Sequence, residues 1–532
     1  MKKLKLMTAI LAMTALLVCT VALFSPYAPT VKPVLEIEEI WAIEDAREES
    51  DAPLVTALEN NGMRLGYDAQ ENTFYCPIGL DNGEEWPELR LSAPGAKGVQ
   101  LAFADDYAYD WCEDAVRDGV AYQILTYTQT AYAYAQIVFT GLPIVTLRTD
   151  GEPDYEDMDA QVTLAAPGGG LTAKATAHLR GAGSRFSEKK SYRINFVHGQ
   201  KNSRAVAEVP GIGRADDIIL LAGVMDDTLM RDRLSWDVYA MIADEGEPYG
   251  PRKTQYVELF VNDRYAGCYV MMEPVDDGEE LVKRGANAPS TDSVYRTAQI
   301  EYAGERPYVE NPMREGSIYE LYHAPAAGHE FDALGPYLAL EQLPQGEAYD
   351  AEFERLAMEV IDLASLLRYD LFVQAGGMSD NVFNNMYVIA QRENGRLTYR
   401  FAPWDMDLTW GRFKDGESGE FYHGLFSFDV AQRMIDIDAG GVTRSMLTDM
   451  WAQMRESVFR EDVIERLVDG YTQELDASGA YTRDALRWRG EAYTADGYEI
   501  VSFAGEHFAA LDAIFAAYAE QDEARQNLTF AQ

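Results

Sequence analysis

The sequence predicts an α+β protein of two lobes with a cleft between them, preceded by a small all-β domain. Three observations carry this. From about residue 51 to 272 the chain reads as short apolar runs separated by Gly, Asn and Asp turns, interrupted by one helical stretch at 229–242. From 351 to the end, apolar residues recur at helical spacing. That helical half holds one embedded hairpin, in which the runs 387–390 and 397–402 flank Asn394-Gly395, a strong short-range turn signal.

Taken in order, residues 1–30 read as a signal peptide or N-terminal membrane anchor: Lys2, Lys3 and Lys5 precede an apolar stretch over 6–24. This predicts export to an extracellular or cell-surface location, with the membrane touched through that segment alone. Residues 31–50 are acidic and read as a tether. It leads into a β-domain reaching to 140, rich in β-formers such as Tyr122, Ile124, Tyr127, Tyr132 and Tyr134. A β-rich lobe over 141–350 follows, with strands predicted at 171–179, 191–197, 217–222, 255–261 and 264–272. The last two flank the tight turn Asn262-Asp263. Asp226-Asp227-Thr228 is placed to cap the helix 229–242. Residues 276–350 read as loop-rich. A mainly helical lobe over 351–532 opens with one helix, 351–374, and continues with helices at 442–474, 483–489 and 504–518.

Composition narrows the function. The 532 residues suffice for two or three domains with substantial cores. A formal charge of −43 makes nucleic acid an unfit partner, since phosphate backbones need a cationic face. With six histidines and no Cys-x-x-Cys, a zinc site is not expected. Cys76 and Cys112, both in the N-terminal region, are the pair available for a bridge.

The segment 379–411 says most about chemistry. Asp380 is followed five residues later by Asn385, and the hairpin then returns the chain to Pro403-Trp404-Asp405-Met406-Asp407. Three carboxylates and a carboxamide at one end of a hairpin suit a hard cation, and magnesium prefers one or two carboxylates with substrate phosphates. The spacing is that of a phosphotransferase catalytic loop, with an Asp, an Asn and a metal-holding Asp. A second motif, 178–193, passes through Gly181-Ala182-Gly183 and carries Arg180, Arg185, Lys189, Lys190 and Arg193. In a chain with 45 Lys+Arg against 88 Asp+Glu, that cluster stands out, and a glycine turn beside cations suits a phosphate.

Together these residues resemble the spore-coat protein CotH family of atypical protein kinases. The likeness runs through 141–150, 180–196, 229–239, 257–273 and 362–411, and spans about 141–500. The resemblance implies a kinase-like fold and transfer of the γ-phosphoryl of ATP to protein Ser/Thr hydroxyls with Mg²⁺ or Mn²⁺. The acceptor it implies is a spore-coat or cell-surface protein. It makes Asp380 the catalytic aspartate and Asn385 and Asp405 metal ligands, with Asp407 in outer-shell support or on a second ion. Lys190, together with Arg180 or Lys189, becomes the phosphate-binding cation, and Glu273 a partner that orients one of them. Met378-Ser379 stands where ordinary kinases have His-Arg before the aspartate. Two other readings stay open: AMP transfer from the same pocket, and a catalytically silent surface or spore-coat binding module.

Overall fold

The structure is a computed structural model. It describes residues 30–31, 34–80, 86–107, 111–181, 186–199, 203–244, 249–275, 292–302, 306–325, 328–393, 395–413, 428–438, 440–491 and 493–529. The basic and apolar stretch over 1–29, the glycine-turn residues 182–185, Asn394 and the acidic loop after Phe413 lie outside the described residues.

The chain is mixed α+β with a β-rich N-terminal part. Its first region pairs Ala131–Thr140 with Ala121–Tyr127 and Thr73–Pro77, and alternate residues Phe74, Cys76, Ile137 and Phe139 are buried on one face. Cys76 and Cys112 are both buried and free, so the bridge available to them does not form; each packs as a small apolar side chain in the same core.

Seven strands then close into a barrel: Ile144–Thr149, Met158–Ala166, Gly169–Arg180, Ser191–Phe196, Asp217–Leu221, Arg264–Met272 and Thr254–Val261, the last pairing in parallel with the first. Period-2 alternation explains the closure. Val145/Leu147, Val162/Leu164, Ala175/Ala177, Ile194/Phe196, Ile218/Leu220, Val257/Leu259 and Tyr269/Met271 form one interior core. Their neighbours Ile219, Tyr256, Cys268, Val270 and Met272 face the opposite way and join the core of the helical half. Asn262 and Asp263 have φ of 49° and 59°, as a hairpin turn of the favoured twist requires. On the outside of the barrel the N-terminal region docks: the Tyr75 and Tyr265 rings stack at 5.3 Å, 1° from parallel.

The predicted helix at 229–242 begins at Arg231 and ends at Ile242. Asp226 accepts from the Thr228 and Arg231 amides, so the expected capping acid acts just ahead of the first turn. Of the stretch 276–350 read as loop-rich, residues 276–291 lie outside the described residues, and the described remainder holds regular structure. Ser293–Gln299, Tyr308–Glu310 and Ser317–His323 are strands that join the hairpin Met386–Glu393/Arg396–Pro403 in one five-stranded sheet. That sheet draws on chain from both sides of residue 350.

The single helix expected at 351–374 is two helices, Glu347–Val360 and Leu363–Gly376. Asp362 is the cause. Its Oδ1 accepts the Ser365 amide at 3.1 Å as an N-cap, and its own amide donates to the Tyr399 carbonyl at 3.0 Å. The second helix is buried along its length and stops at Gly377, whose φ of 60° ends it and whose missing Cβ leaves room for the Phe503 ring. The stretch predicted as one helix at 442–474 is likewise divided, into Val442–Ser457 and Glu461–Ala477. The final helix Tyr498–Thr529 is long and apolar enough to cross a membrane over 498–520, yet it buries Ile500, Phe503, Phe508, Leu511 and Phe515 in the helical core.

The helix Ala480–Arg489 returns to the barrel and is pinned there by charge. Arg483 forms a bidentate pair with the fully buried Glu258, 2.9 Å on each arm, and Asp484 meets Lys189.

Candidate active site

Gly377 releases the chain from the buried helix into a short 3₁₀ turn, Ser379–Val382, which carries Asp380. Both carboxylate oxygens of Asp380 are held by carboxamides: Asn384 Nδ2 donates to Oδ1 at 3.0 Å and Asn385 Nδ2 to Oδ2 at 2.9 Å. Asn385 has φ of 53°, a left-handed conformation that Asn tolerates better than most residues. Its donor end is committed to Asp380, so its oxygen is the end that can face a cation.

The next residue, Met386, pairs with Pro403 across the hairpin, and the returning strand runs out into Trp404, Asp405 and Asp407. Asn381 joins the two exits, donating to the Trp404 carbonyl at 2.7 Å. Asp405, like Asn385, is left-handed, with φ of 52°. Two non-glycine residues in that conformation at the mouth of one hairpin mark a site where backbone strain is tolerated. The geometry therefore brings Asp380, Asn385, Asp405 and Asp407 to one end of the hairpin, where the Asn-Gly spacing leads.

Two further carboxylates from the β-rich half arrive beside them. Asp232, in the first turn of Arg231–Ile242, accepts the Met406 amide at 2.9 Å. Burial, and next the Asp405 charge, push its carboxyl up to about 7; the Met406 N–H and Arg180 pull the other way. Asp407 is held well above the usual carboxylate range, first by burial and then by Asp405, Asp232, Asp226 and Asp380. So much negative potential in one place fits a divalent cation, which would relieve it. Among the described residues, no set of three or more His, Cys, Asp or Glu side chains stands in metal-holding geometry. Carboxylates beside a carboxamide oxygen are donors of the kind that magnesium takes together with phosphate and water.

Of the predicted cations, Arg180 reaches this group. Its guanidinium lies 5.3 Å from the Trp404 ring centroid and its charge acts on Asp232. Lys190 is partly buried just ahead of Ser191, which pairs with Arg180. Lys189 is elsewhere. It is buried, 2.7 Å from both Asp484 Oδ1 and the Cys268 carbonyl, with the Tyr269 ring beneath its ammonium. Glu273 falls one residue beyond Met272, which shares a rung with Ile219, Arg193 and His178, two residues short of Arg180. Asp226, Asp232 and Asn384 belong to the site but were not singled out for it from the sequence. The signal for Asp232 was its place beside Arg231 in the helix that follows the Asp226 cap.

The sequence model of the family described as CotH kinase protein matches residues 177–509, more than half of the chain. The match leaves out the N-terminal β-region and the first two barrel strands. A relative, inner spore coat protein H of Bacillus subtilis (strain 168), is 24% identical over 238 residues, or 45% of this chain and 59% of its own length. This chain thus spans less than two thirds of that relative. The matched residues include Arg180, Asp232, Asp380, Asn385, Asp405 and Asp407, and the chain belongs to the CotH kinase protein family.

Proposed function

We propose that this protein is an exported phosphotransferase of kinase-like, two-lobed fold that moves the γ-phosphoryl of ATP to Ser/Thr hydroxyls of a spore-coat or cell-surface protein. The observation that carries the reading is the 2.9 Å hydrogen bond from Asn385 to Asp380 at the mouth of a hairpin whose other strand runs out into Asp405 and Asp407. The family description and the spore-coat relative support the same class of activity and location.

Asn385 and Asp405 would hold Mg²⁺ or Mn²⁺, with Asp407 behind them. When bound, the ion supplies charge neutralisation on the β- and γ-phosphates. The protein's own residues account for the rest. Asp380, both oxygens already oriented by carboxamides, would accept a hydrogen bond from the acceptor hydroxyl and take its proton as the new O–P bond forms. The bond between the γ-phosphorus and the bridging oxygen breaks, and ADP leaves with the electron pair. Arg180, stacked on Trp404, would set positive charge beside the phosphates, and Lys190 at the adjacent strand end would add to it. The reading needs no role for Glu273, and it assigns Lys189 to the fold.

Thermal unfolding of the full chain with and without ATP and Mg²⁺ tests this. A ligand at a hundred times its dissociation constant stabilises by about 2.7 kcal/mol, so wild type should melt higher with both present and Asp405→Asn should not. Absence of any shift in wild type would favour a silent binding module.

A further inference from the structure

The loop Asp405–Trp410 carries the carboxylates of the proposed site, and most of what fixes it comes from a single helical turn on the other half of the chain. Asp232 Oδ1 accepts the Met406 N–H at 2.9 Å, and Arg231 Nε donates to the Thr409 carbonyl at 3.0 Å. Ser235 Oγ accepts from Trp410 Nε1 at 2.9 Å and lies 3.3 Å from Thr409 Oγ1. Arg231, itself 2% exposed, is held by Asp226 at 2.5 Å. Within the loop, Thr409 Oγ1 closes onto the Met406 carbonyl at 2.8 Å. Opposite the helix, the loop is tied by the Asn381 bond to Trp404 and by the Trp410 amide to the Gly376 carbonyl.

We infer that Arg231, Asp232 and Ser235 are positioning residues for phosphoryl transfer, with Asp232 the principal one. They hold Asp405 and Asp407 in the orientation that the transfer step needs, without adding to nucleotide affinity. The inference rests on the phosphotransfer reading and adds a set of residues to it. The physical reason lies in the backbone. Asp405 is left-handed with φ of 52°, a conformation that persists where surrounding contacts over-determine it. The Met406 N–H belongs to the peptide unit that leaves the Asp405 Cα, so anchoring it fixes the plane beside Asp405 and the start of the path to Asp407. What Asp232 supplies to the Met406 N–H is an acceptor oxygen, which an asparagine side chain also offers. A misplacement of about 1 Å at a reacting centre costs on the order of a hundredfold in rate.

The test compares the full chain as wild type, Asp232→Ala, Asp232→Asn and Ser235→Ala for phosphoryl transfer from ATP at saturating and limiting Mg²⁺, with melting temperatures measured alongside. Positioning predicts that Asp232→Ala lowers kcat by about tenfold or more with KM for ATP little changed. It also predicts that Asp232→Asn, which keeps an oxygen for the Met406 N–H, restores kcat to within about threefold. Ser235→Ala should lower kcat severalfold without a matching loss of melting temperature, and this holds the inference to account if Asp232→Ala does not fold. Wild-type rates in both Asp232→Ala and Ser235→Ala would overturn it. So would an Asp232→Asn as slow as Asp232→Ala and rescued by excess Mg²⁺, which would make Asp232 a ligand. Inactive wild type would instead remove the phosphotransfer reading itself.

Discussion

Lys189 and Asp484 meet at 2.7 Å inside the protein, each no more than 8% exposed, across 295 residues of sequence. The pair fastens the helix Ala480–Arg489 to the barrel, and the Asp484 carboxylate also accepts the Cys268 amide at 2.8 Å. Glu258 and Arg483 repeat the arrangement one residue along the helix. Breaking one partner of a buried pair costs about 3–5 kcal/mol, because the other charge stays buried. Lys189→Ala should therefore lower the melting temperature by several degrees while leaving KM for ATP unchanged in the protein that folds. Lys190 is half-buried rather than buried, so Lys190→Ala should lower melting less than Lys189→Ala and raise KM for ATP. Calorimetry alongside kinetics separates the two neighbours, and a nucleotide defect specific to Lys189→Ala would contradict the assignment.

Asn385 is predicted to trade stability for chemistry. Its left-handed φ of 53° costs about 1 kcal/mol in a residue with a Cβ, and glycine pays no such penalty. Asn385→Gly should fold at least as well as wild type and lose transfer by about a hundredfold or more, since it removes a proposed ligand and frees Asp380. Melting curves and initial rates on one preparation check both halves.

Much of this architecture was legible in the sequence for reasons of periodicity. The strands 171–179, 191–197, 217–222, 255–261 and 264–272 were found within a residue or two because inward Val, Leu, Ile and Ala alternate with their neighbours. The hairpin was found from its turn. The helix break at Asp362 was not, because both helices carry apolar residues in step across it; what divides them is a cap whose value depends on Tyr399. The strand Ser293–Gln299 was missed as well: it has polar residues at buried positions, Ser293 and Thr297, and the Thr297 hydroxyl finds its partners only on Met386 of the neighbouring strand. In the site, Asp380, Asn385, Asp405 and Asp407 come close in sequence and were readable from spacing. Asp232 comes from a helix about 170 residues earlier, and only folding brings it to Met406.

Glu341 gives the protein a pH dependence apart from the site. Burial raises its carboxyl to about 7 from an ordinary 4.5; Asp429 adds to this, while the Tyr319 hydroxyl, donating at 2.6 Å, and Arg314 oppose it. The folded state therefore keeps a proton that the unfolded chain releases. Below pH 4.5 both states are protonated and there is no penalty. As pH rises from 4.5 to about 7 stability falls, by about 3 kcal/mol at most, and above that the loss is complete. Glu341→Gln keeps an acceptor for Tyr319 and removes the titration. Its advantage in melting temperature over wild type should open from near zero at acid pH to a few degrees in mild alkali. A gap that stays constant with pH would rule the explanation out.

By the proposed function, Asp380 and the Asp405 loop form a phosphoryl-transfer site. Incubating the full chain with γ-labelled ATP, Mg²⁺ and a mixed Ser/Thr peptide library addresses it most directly, with Asp380→Ala and Asp405→Asn in parallel and products read by mass. Label should appear on peptide or protein hydroxyls as phosphate in wild type, and fall by about a hundredfold or more in both variants with their melting temperatures kept. Label retained in Asp405→Asn, adenylate in place of phosphate, or a wild type that transfers nothing would contradict it.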